Sequence, residues 1–393
     1  MLYLFGISIC FFLNLLLLSK KNKTKADKIL LLWLLTAGAH LVLYYMRMQA
    51  SNPAYAFLLG VEIPFPLLHG PLLFLYTAAM TNQEPKGYKW LFHFIVPAVA
   101  FLSLVPFILL PGADKIMVYK NNGAGYGIHS FINLMAVYVS GIFYIIWSVL
   151  LLKKHTHNIE NQFSDTDKIN LNWLRYLVYG MAVIWAVVLI GNDELIFGTV
   201  VVFVLLLGFF GIKQVGIFSP ANQQKLNTNG QQQPEMLPAS NAVLEKSSFT
   251  EKNNVVTEEM YADTVKKKYS KSGLTNEQAA LISKELNRLM EKEKLFTESE
   301  LTLAELAGRL NIHPNYLSQV INEKEETNFY DYINTLRIEE YKKLVLMPEN
   351  KKYTILTLAY ECGFNSKSSF NRYFKKVTGV SPSEYMRYQA AEN

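Results

Sequence analysis

Two short stretches in the last third of the sequence carry polar side chains at helical spacing. Side-chain amides and guanidinium groups form paired hydrogen bonds with the edges of nucleic-acid bases, and lysines neutralise phosphates. These residue types therefore favour recognition of a nucleic acid over bond-making chemistry. The first stretch contains His313, Asn315, Ser318, Gln319 and Asn322, and the second contains Lys367, Ser368, Asn371, Arg372, Lys375 and Lys376.

The sequence lacks the patterns that are typical of catalytic and metal sites. It has no phosphate-binding glycine loop, no paired Cys/His spacing and no nucleophile elbow. Its two cysteines lie in unlike surroundings, Cys10 in an apolar run and Cys362 in a polar helix, which argues against a disulfide. We therefore expect no enzymatic activity, no cofactor and no bound metal.

The first polar stretch follows a short predicted helix and a tight turn. Thr302 and Glu305 form a capping box, which is typical of a helix N-terminus. Asn311 tolerates the left-handed backbone of a turn, and Pro314 favours the start of a second helix. Ala307 is small enough to let the two helices approach closely. The pattern predicts a helix-turn-helix.

The same pattern returns 52 residues later. Thr354, Ala359 and Gly363 take the places of the capping threonine, the small alanine and the turn asparagine, and Ser366 caps the second polar stretch. A long helix is predicted between the repeats, from Phe329 to Met347. Six apolar or aromatic residues at helical spacing are expected in the core: Ile333, Leu336, Tyr341, Phe370, Tyr373 and Phe374.

Residues from about 301 to 388 resemble the DNA-binding domain of the AraC/XylS family of bacterial regulators. Two helix-turn-helix units at this spacing are far more specific than one, and the run from Cys362 to Pro382 is the most specific part. The resemblance is carried by residues 303–307, 316–318, 359–364, 369–376 and 378–387.

This resemblance implies which side chains contact DNA. Base contacts fall at Asn315, Ser318 and Gln319 in the first unit, with Asn322 on the same outward face. In the second unit, Arg372 suits guanine. The remaining implied contacts are Lys367, Ser368 and Asn371 for bases and Lys375 and Lys376 for phosphates.

Charge separates the two units. Residues 295–350 contain 5 basic and 10 acidic residues, whereas residues 351–393 contain 7 basic and 3 acidic residues. The second helix-turn-helix should therefore supply most of the attraction to phosphates. The acidic residues of the first helix-turn-helix have two interpretations. They tune it for weak or conditional binding, or they face away from DNA, and we favour the second interpretation.

The first half of the chain contains seven apolar runs of membrane-spanning length. They predict a seven-span membrane domain over residues 1–212. A six-span alternative would bury the carboxylates of Asp193 and Glu194, which lie between the last two runs. The runs are Leu2–Ser19, Ile29–Met46, Ala56–Met80, Trp90–Leu110, Ile128–Leu152, Trp173–Ile190 and Leu195–Ile212.

Basic residues in the loops predict the orientation. The loops on one predicted side of the membrane carry 11 basic residues, and those on the other side carry 3. By the positive-inside rule, the side with 11 basic residues is cytoplasmic. The N-terminus is therefore expected outside and the C-terminal domain in the cytoplasm. With the family resemblance, this indicates a multi-pass protein of the bacterial inner membrane, in contact with lipid.

The third run contains ionisable residues and three prolines. Glu62 and His69 are seven residues apart and would share a helix face, and ionisable groups inside a membrane often mark functional sites. They predict a signal-sensing site, which His129, Asp193 and Glu194 near the outer surface would join. The alternative is a polar clamp between packed helices.

The sequence thus predicts an all-α chain: a polytopic membrane helix bundle, followed by a soluble helical domain with two helix-turn-helix units joined by a long helix. A flexible polar linker is predicted over 213–257, a support helix region over 258–294 and the DNA-binding domain over 295–393. The linker would transmit force poorly.

The function that we expect is a membrane-bound, sequence-specific transcription regulator that couples a signal ligand to promoter binding. Its partner is double-stranded DNA, contacted in the major groove at two adjacent boxes. The sequence leaves open a homodimer, a contact with RNA polymerase and release of the domain by proteolysis. The alternative is a membrane receptor or transporter-like protein whose C-terminal domain docks protein partners.

Overall fold

The structure is a computed structural model in which the described residues form helices joined by turns. Within these residues the extended pairing is limited to an isolated antiparallel bridge between Phe163 and Thr302. The predicted all-α fold is therefore confirmed for this part of the chain. The described residues are 2–48, 53–121, 123–213 and 274–392.

The chain divides into two compact units. The first comprises residues 1–155 and 171–223, and the second comprises residues 156–170 and 224–393. The second unit thus includes a segment that the sequence analysis assigned to the membrane domain. Apart from Lys213, the predicted linker lies outside the described residues, as does the predicted support region up to residue 273.

The first unit consists of apolar helices of unequal length. Four stretches are long and apolar enough to cross a membrane, and three further apolar helices have 10–17 residues. These seven stretches overlap the seven predicted runs. The helices are α1 Leu2–Ser19, α2 Lys25–Met48, α3 Pro66–Met80, α4 Ile95–Ile108, α5 Gly112–Lys120, α6 Gly127–Glu160, α7 Asn172–Ile190 and α8 Asp193–Lys213.

Several of these helices expose large apolar side chains. Leu102 is 67% exposed, Ile128 76% and Ile190 87%. A soluble protein rarely presents apolar surface on this scale, because its contact with water costs free energy. Such exposure is typical of a surface that contacts an apolar partner.

The third predicted run is divided at its prolines. Instead of one helix over Ala56–Met80, the structure has a 3-10 helix over Pro53–Leu58, a series of turns, and α3 from Pro66. Proline lacks the N–H that a helix interior needs, so Pro66 is accommodated at the start of α3. Glu62 consequently lies in a turn and accepts a hydrogen bond from the Gly60 N–H at 2.9 Å.

The second unit consists of seven α-helices in its described part. The first begins at a capping box, where Thr275 and Gln278 exchange hydrogen bonds. The helices are α9 Asn276–Lys292, α10 Leu303–Arg309, α11 Pro314–Lys324, α12 Phe329–Leu346, α13 Ile355–Glu361, α14 Lys367–Thr378 and α15 Pro382–Glu392.

Two hydrophobic cores lie in this unit, and α12 contributes to both. Ile333 packs with residues of α9, α10 and α11, whereas Tyr341 packs with residues of α13 and α14. The predicted linking helix therefore holds each helix-turn-helix through its own core. Leu336 is partly buried against the first core, and Phe370, Tyr373 and Phe374 are buried in the second, as predicted.

Candidate nucleic-acid interface

The two helix-turn-helix units have the same local structure. The Ile312 N–H donates to the Ala307 carbonyl at 3.0 Å, and the Phe364 N–H donates to the Ala359 carbonyl at 3.1 Å. Both alanines are completely buried, so that α10 and α13 can approach the helices that follow them. The predicted repeat of 52 residues is confirmed at the level of individual hydrogen bonds.

Each turn contains a residue with left-handed backbone. Asn311 has a φ of 54° and Gly363 a φ of 96°. A Cβ atom on Gly363 would lie 2.7 Å from the Thr297 carbonyl oxygen, which is too close for any side chain. Glycine is therefore required in the second turn, whereas asparagine is tolerated in the first.

The helices that follow the turns are capped by side chains. The His313 Nδ1 accepts from the Asn315 N–H at 3.2 Å, and the Ser366 Oγ accepts from the Ser369 N–H at 3.0 Å. These caps fix where α11 and α14 begin. Measured from the caps, residues of α14 stand 53 positions after their counterparts in α11.

The first recognition helix, α11, presents only part of its predicted contact set. Asn315 is exposed and Ser318 half-buried, but Gln319 and Asn322 are each only 7% exposed. The Gln319 amide donates to Glu323 at 3.0 Å, and the Asn322 amide donates to the Ser318 carbonyl at 2.6 Å. The Asn322 amide also donates to the Ser318 hydroxyl at 3.3 Å, so three of the four predicted amide or hydroxyl groups are engaged within their own helix.

The second recognition helix, α14, presents its whole predicted set. Its opposite face supplies the aromatic residues of the second core, so the polar face points to solvent. Arg372 and Lys376 form ion pairs with Asp167 at 3.1 Å and Asp331 at 2.6 Å. The exposed residues are Lys367, Ser368, Asn371, Arg372, Lys375 and Lys376.

A buried arginine holds the segment in front of α10. Arg337 on α12 is 1% exposed and donates to the carbonyls of Phe296 at 2.7 Å and Glu298 at 2.8 Å. Burial lowers the pKa of Arg337 to about 10, and the carboxylate of Asp165 acts in the opposite direction. A lone arginine in a helix is usually exposed, so no sequence pattern singles out Arg337.

Residues 162–167 carry no sequence pattern that predicts a place in this interface. They lie between two predicted apolar runs, but they belong to the second unit. Asp165 and Asp167 accept hydrogen bonds from Asn365 and Ser366, both at 2.7 Å. Acidic side chains therefore lie at the N-terminal end of α14, where no local sequence signal predicts them.

The first unit encloses a cavity of about 590 Å³. Three predicted sensing residues, Glu62, His69 and His129, line it. Glu194 is exposed and does not line the cavity, and the side chain of Asp193 is not among those that the structure describes. The structure thus brings together three of the five residues in this set.

Polar groups in the cavity wall are joined by hydrogen bonds. His69 accepts from the Trp33 indole at 3.2 Å and lies 3.2 Å from His40 on its other ring nitrogen. The Glu62 carboxylate also accepts from the Tyr119 hydroxyl. His40 and Tyr119, which the sequence analysis did not select, therefore belong to the same polar wall.

Comparisons with known proteins concern the second unit. The family model described as a helix-turn-helix domain matches residues 306–388. The uncharacterized HTH-type transcriptional regulator YijO of Escherichia coli is 37% identical over 89 residues, which are 23% of this chain and 30% of YijO. The uncharacterized HTH-type transcriptional regulator YobQ of Bacillus subtilis is 34% identical over 127 residues, which are 28% of this chain and 52% of YobQ.

One solved structure also matches this part of the chain. It is the C-terminal domain of AraT, a response regulator from Geobacillus stearothermophilus, with 28% identity, a TM-score of 0.25 and coverage of 30% of this chain and 88% of that chain. The chain spans about half or less of the length of YijO and YobQ. Its last part is a helix-turn-helix DNA-binding domain of the AraC type.

Proposed function

We propose that this protein is a membrane-embedded, sequence-specific transcription regulator, in which the first unit senses a ligand and the second binds promoters. The observation that carries the proposal is the presence, in one chain, of an AraC-type DNA-binding domain and a unit of apolar helices with exposed apolar side chains. A bacterial cytoplasmic membrane accommodates both, because its lipid covers the apolar surface and its cytoplasmic side gives the DNA-binding domain access to DNA.

Loop charges support the orientation that this function requires. The basic loops predict that Lys213 and the residues after it face the cytoplasm, where the chromosome lies. The two helix-turn-helix units of a single chain suffice to occupy successive major-groove faces, so DNA binding does not require a dimer. A contact with RNA polymerase would follow at an activated promoter.

The cavity supports ligand sensing by the first unit. Small-molecule sites are mostly apolar, with a few convergent polar groups that fix the ligand's orientation. In this wall the Trp185 indole N–H and the side-chain amide oxygen of Asn133 (Oδ1) are buried without hydrogen-bond partners among the described residues. The ligand class that fits is a small apolar molecule carrying one hydrogen-bond acceptor and one donor.

The test is a selection of bound sequences from a random DNA pool, using the full-length protein in nanodiscs. We expect an enriched motif of two boxes about one helical turn apart. Arg372→Ala should degrade one position of this motif. Arg288→Ala is the matched control, because Arg288 lies on α9 and pairs with Glu285 at 2.6 Å.

Absence of any enriched motif would contradict the proposal. It would favour the second candidate function, docking of a protein partner by the C-terminal domain.

A further inference from the structure

A short segment that precedes α7 in the chain is bound on the second unit. The Ser164 N–H donates to the Leu301 carbonyl at 3.2 Å, and the Leu303 N–H donates to the Gln162 carbonyl at 2.9 Å. These two bonds form an antiparallel bridge next to the start of α10. The second unit therefore holds residues 162–167, the docked segment, through its own backbone.

Buried polar side chains complete the binding site for this segment. Asn334 and Arg337, each 1% exposed, donate to the Ser164 carbonyl at 3.0 Å and the Ser164 hydroxyl at 3.1 Å. Ser164 is itself 1% exposed. Buried donors are costly unless they are paired, so this arrangement is a built site rather than an accidental surface contact.

The docked segment ends at the DNA-binding face of the second helix-turn-helix. Asp167 accepts from the Ser366 hydroxyl at 2.7 Å and from the Arg372 guanidinium at 3.1 Å. Asp165 accepts from the Asn365 amide at 2.7 Å. Both carboxylates thus contact the turn or the polar face of α14, and one of them engages the arginine that we predict to contact a base.

Carboxylates in this position compete with DNA for two reasons. The N-terminus of a helix attracts anions through its free N–H groups and its dipole, so Asp167 lies where a phosphate would be favoured. A DNA backbone that approaches α14 would also meet two negative charges. We propose that the docked segment is an internal competitor of DNA, which must leave α14 before the second helix-turn-helix binds its site.

This inference rests on the proposed function, and it supplies a route for the signal. The chain joins the docked segment to α6 on one side and to α7 on the other. Val137 of α6 and Trp185 of α7 both line the cavity. A ligand that moves these helices therefore pulls on the segment directly, and the long polar linker need not transmit force.

The experiment measures binding of the selected DNA motif by full-length protein in nanodiscs, using fluorescence anisotropy. The test variant is Asp165→Asn with Asp167→Asn, which keeps side-chain shape and removes both charges. Losing charged hydrogen bonds to Asn365, Ser366 and Arg372 should raise DNA affinity roughly 10-fold or more. Glu285→Gln is the matched control, because Glu285 lies on α9 and pairs with Arg288 of the same helix at 2.6 Å, and it should leave affinity unchanged.

Asp167→Asn alone decides the question if the double variant does not fold, because the Ser164 contacts to Arg337 and Asn334 remain. Unchanged DNA affinity in the segment variants would overturn the inference. Weaker DNA binding would also overturn it, because the segment would then stabilise the DNA-binding domain instead of competing with DNA. An equal gain in the Glu285→Gln control would also overturn it, since general charge repulsion would then explain the effect. If neither the wild-type protein nor the segment variants select a motif, the proposed function itself fails.

Discussion

The two helix-turn-helix units share their backbone but differ in what surrounds their recognition helices. Gln319 in α11 and Arg372 in α14 occupy equivalent positions, 53 residues apart. Gln319 is buried and bonded to Glu323 of its own helix, whereas Arg372 is exposed and bonded to Asp167 of a distant segment. Equivalent backbone geometry therefore does not make the two units equivalent DNA binders, since the accessible polar groups and their charge lie mainly on the second.

The largest expected effect concerns the turns. Gly363→Ala should lower the free energy of unfolding of the C-terminal domain by about 3 kcal/mol. The left-handed φ disfavours any side chain at this position, and the added Cβ would lie 2.7 Å from the Thr297 carbonyl oxygen. Asn311→Ala should cost about 1 kcal/mol, since only the backbone preference is lost. Urea unfolding, followed by labelling of the peptide that contains Cys362, measures the two. Equal losses would show that the close approach at Gly363 relaxes.

The next effect concerns base recognition. Arg372→Ala should weaken binding by about 1–3 kcal/mol and relax specificity at one base pair. Gln319→Ala should weaken it less, because the Gln319 side chain is buried and its amide already donates to Glu323. Selection from a random pool with each variant makes the comparison. A larger loss for Gln319→Ala would mean that α11 rearranges on DNA.

A charge exchange gives a smaller effect. Glu323 is an exception to the expectation that the acidic residues face away from DNA, because it stands where α14 has Lys376, and both residues are exposed. Glu323→Lys should therefore strengthen binding to all sequences and steepen its salt dependence by about one ion. Lys376→Glu should do the opposite. Affinity measured from low to moderate salt tests both variants, and no change for Glu323→Lys would show that this acidic residue faces away from DNA.

The smallest effect concerns the residues that end α10 and α13. Burial raises the pKa of the Cys362 thiol to about 12, so it should react slowly with iodoacetamide near pH 8 in the folded protein. Leu310, its counterpart in the first turn, is only partly buried. Leu310→Cys should therefore be labelled faster than Cys362, as mass spectrometry of the two peptides would show. Faster labelling of Cys362 would indicate that the second turn opens more readily.

Local interactions explain why much of the DNA-binding domain was predictable. The capping threonines, the small alanines and the turn residues act over a few positions, so their types and spacing predicted α10 to α14 and the turns between them. The apolar residues of α12 and α14 were likewise predicted from helical periodicity alone. The implied base and phosphate contacts stay predictions.

Long-range interactions explain what was missed. Nothing near Asp165 indicates that it meets Asn365, 200 residues later. The burial of Gln319 and Asn322 depends on packing around α11, which a polar residue type does not indicate. Arg337 was overlooked for the same reason, because its partners are carbonyls of a loop about 40 residues earlier in the chain.

The separation of the docked segment from α14 along the chain has a consequence for biosynthesis. A ribosome adds about 5–20 residues each second, so Asp165 leaves it roughly 10–40 s before Asn365. When α14 emerges, the carboxylates that bind it are already present at high local concentration, whereas a promoter must be found by diffusion. Under the proposed competition, each newly made molecule therefore begins with α14 occupied by the docked segment, and its activation begins with release of that segment.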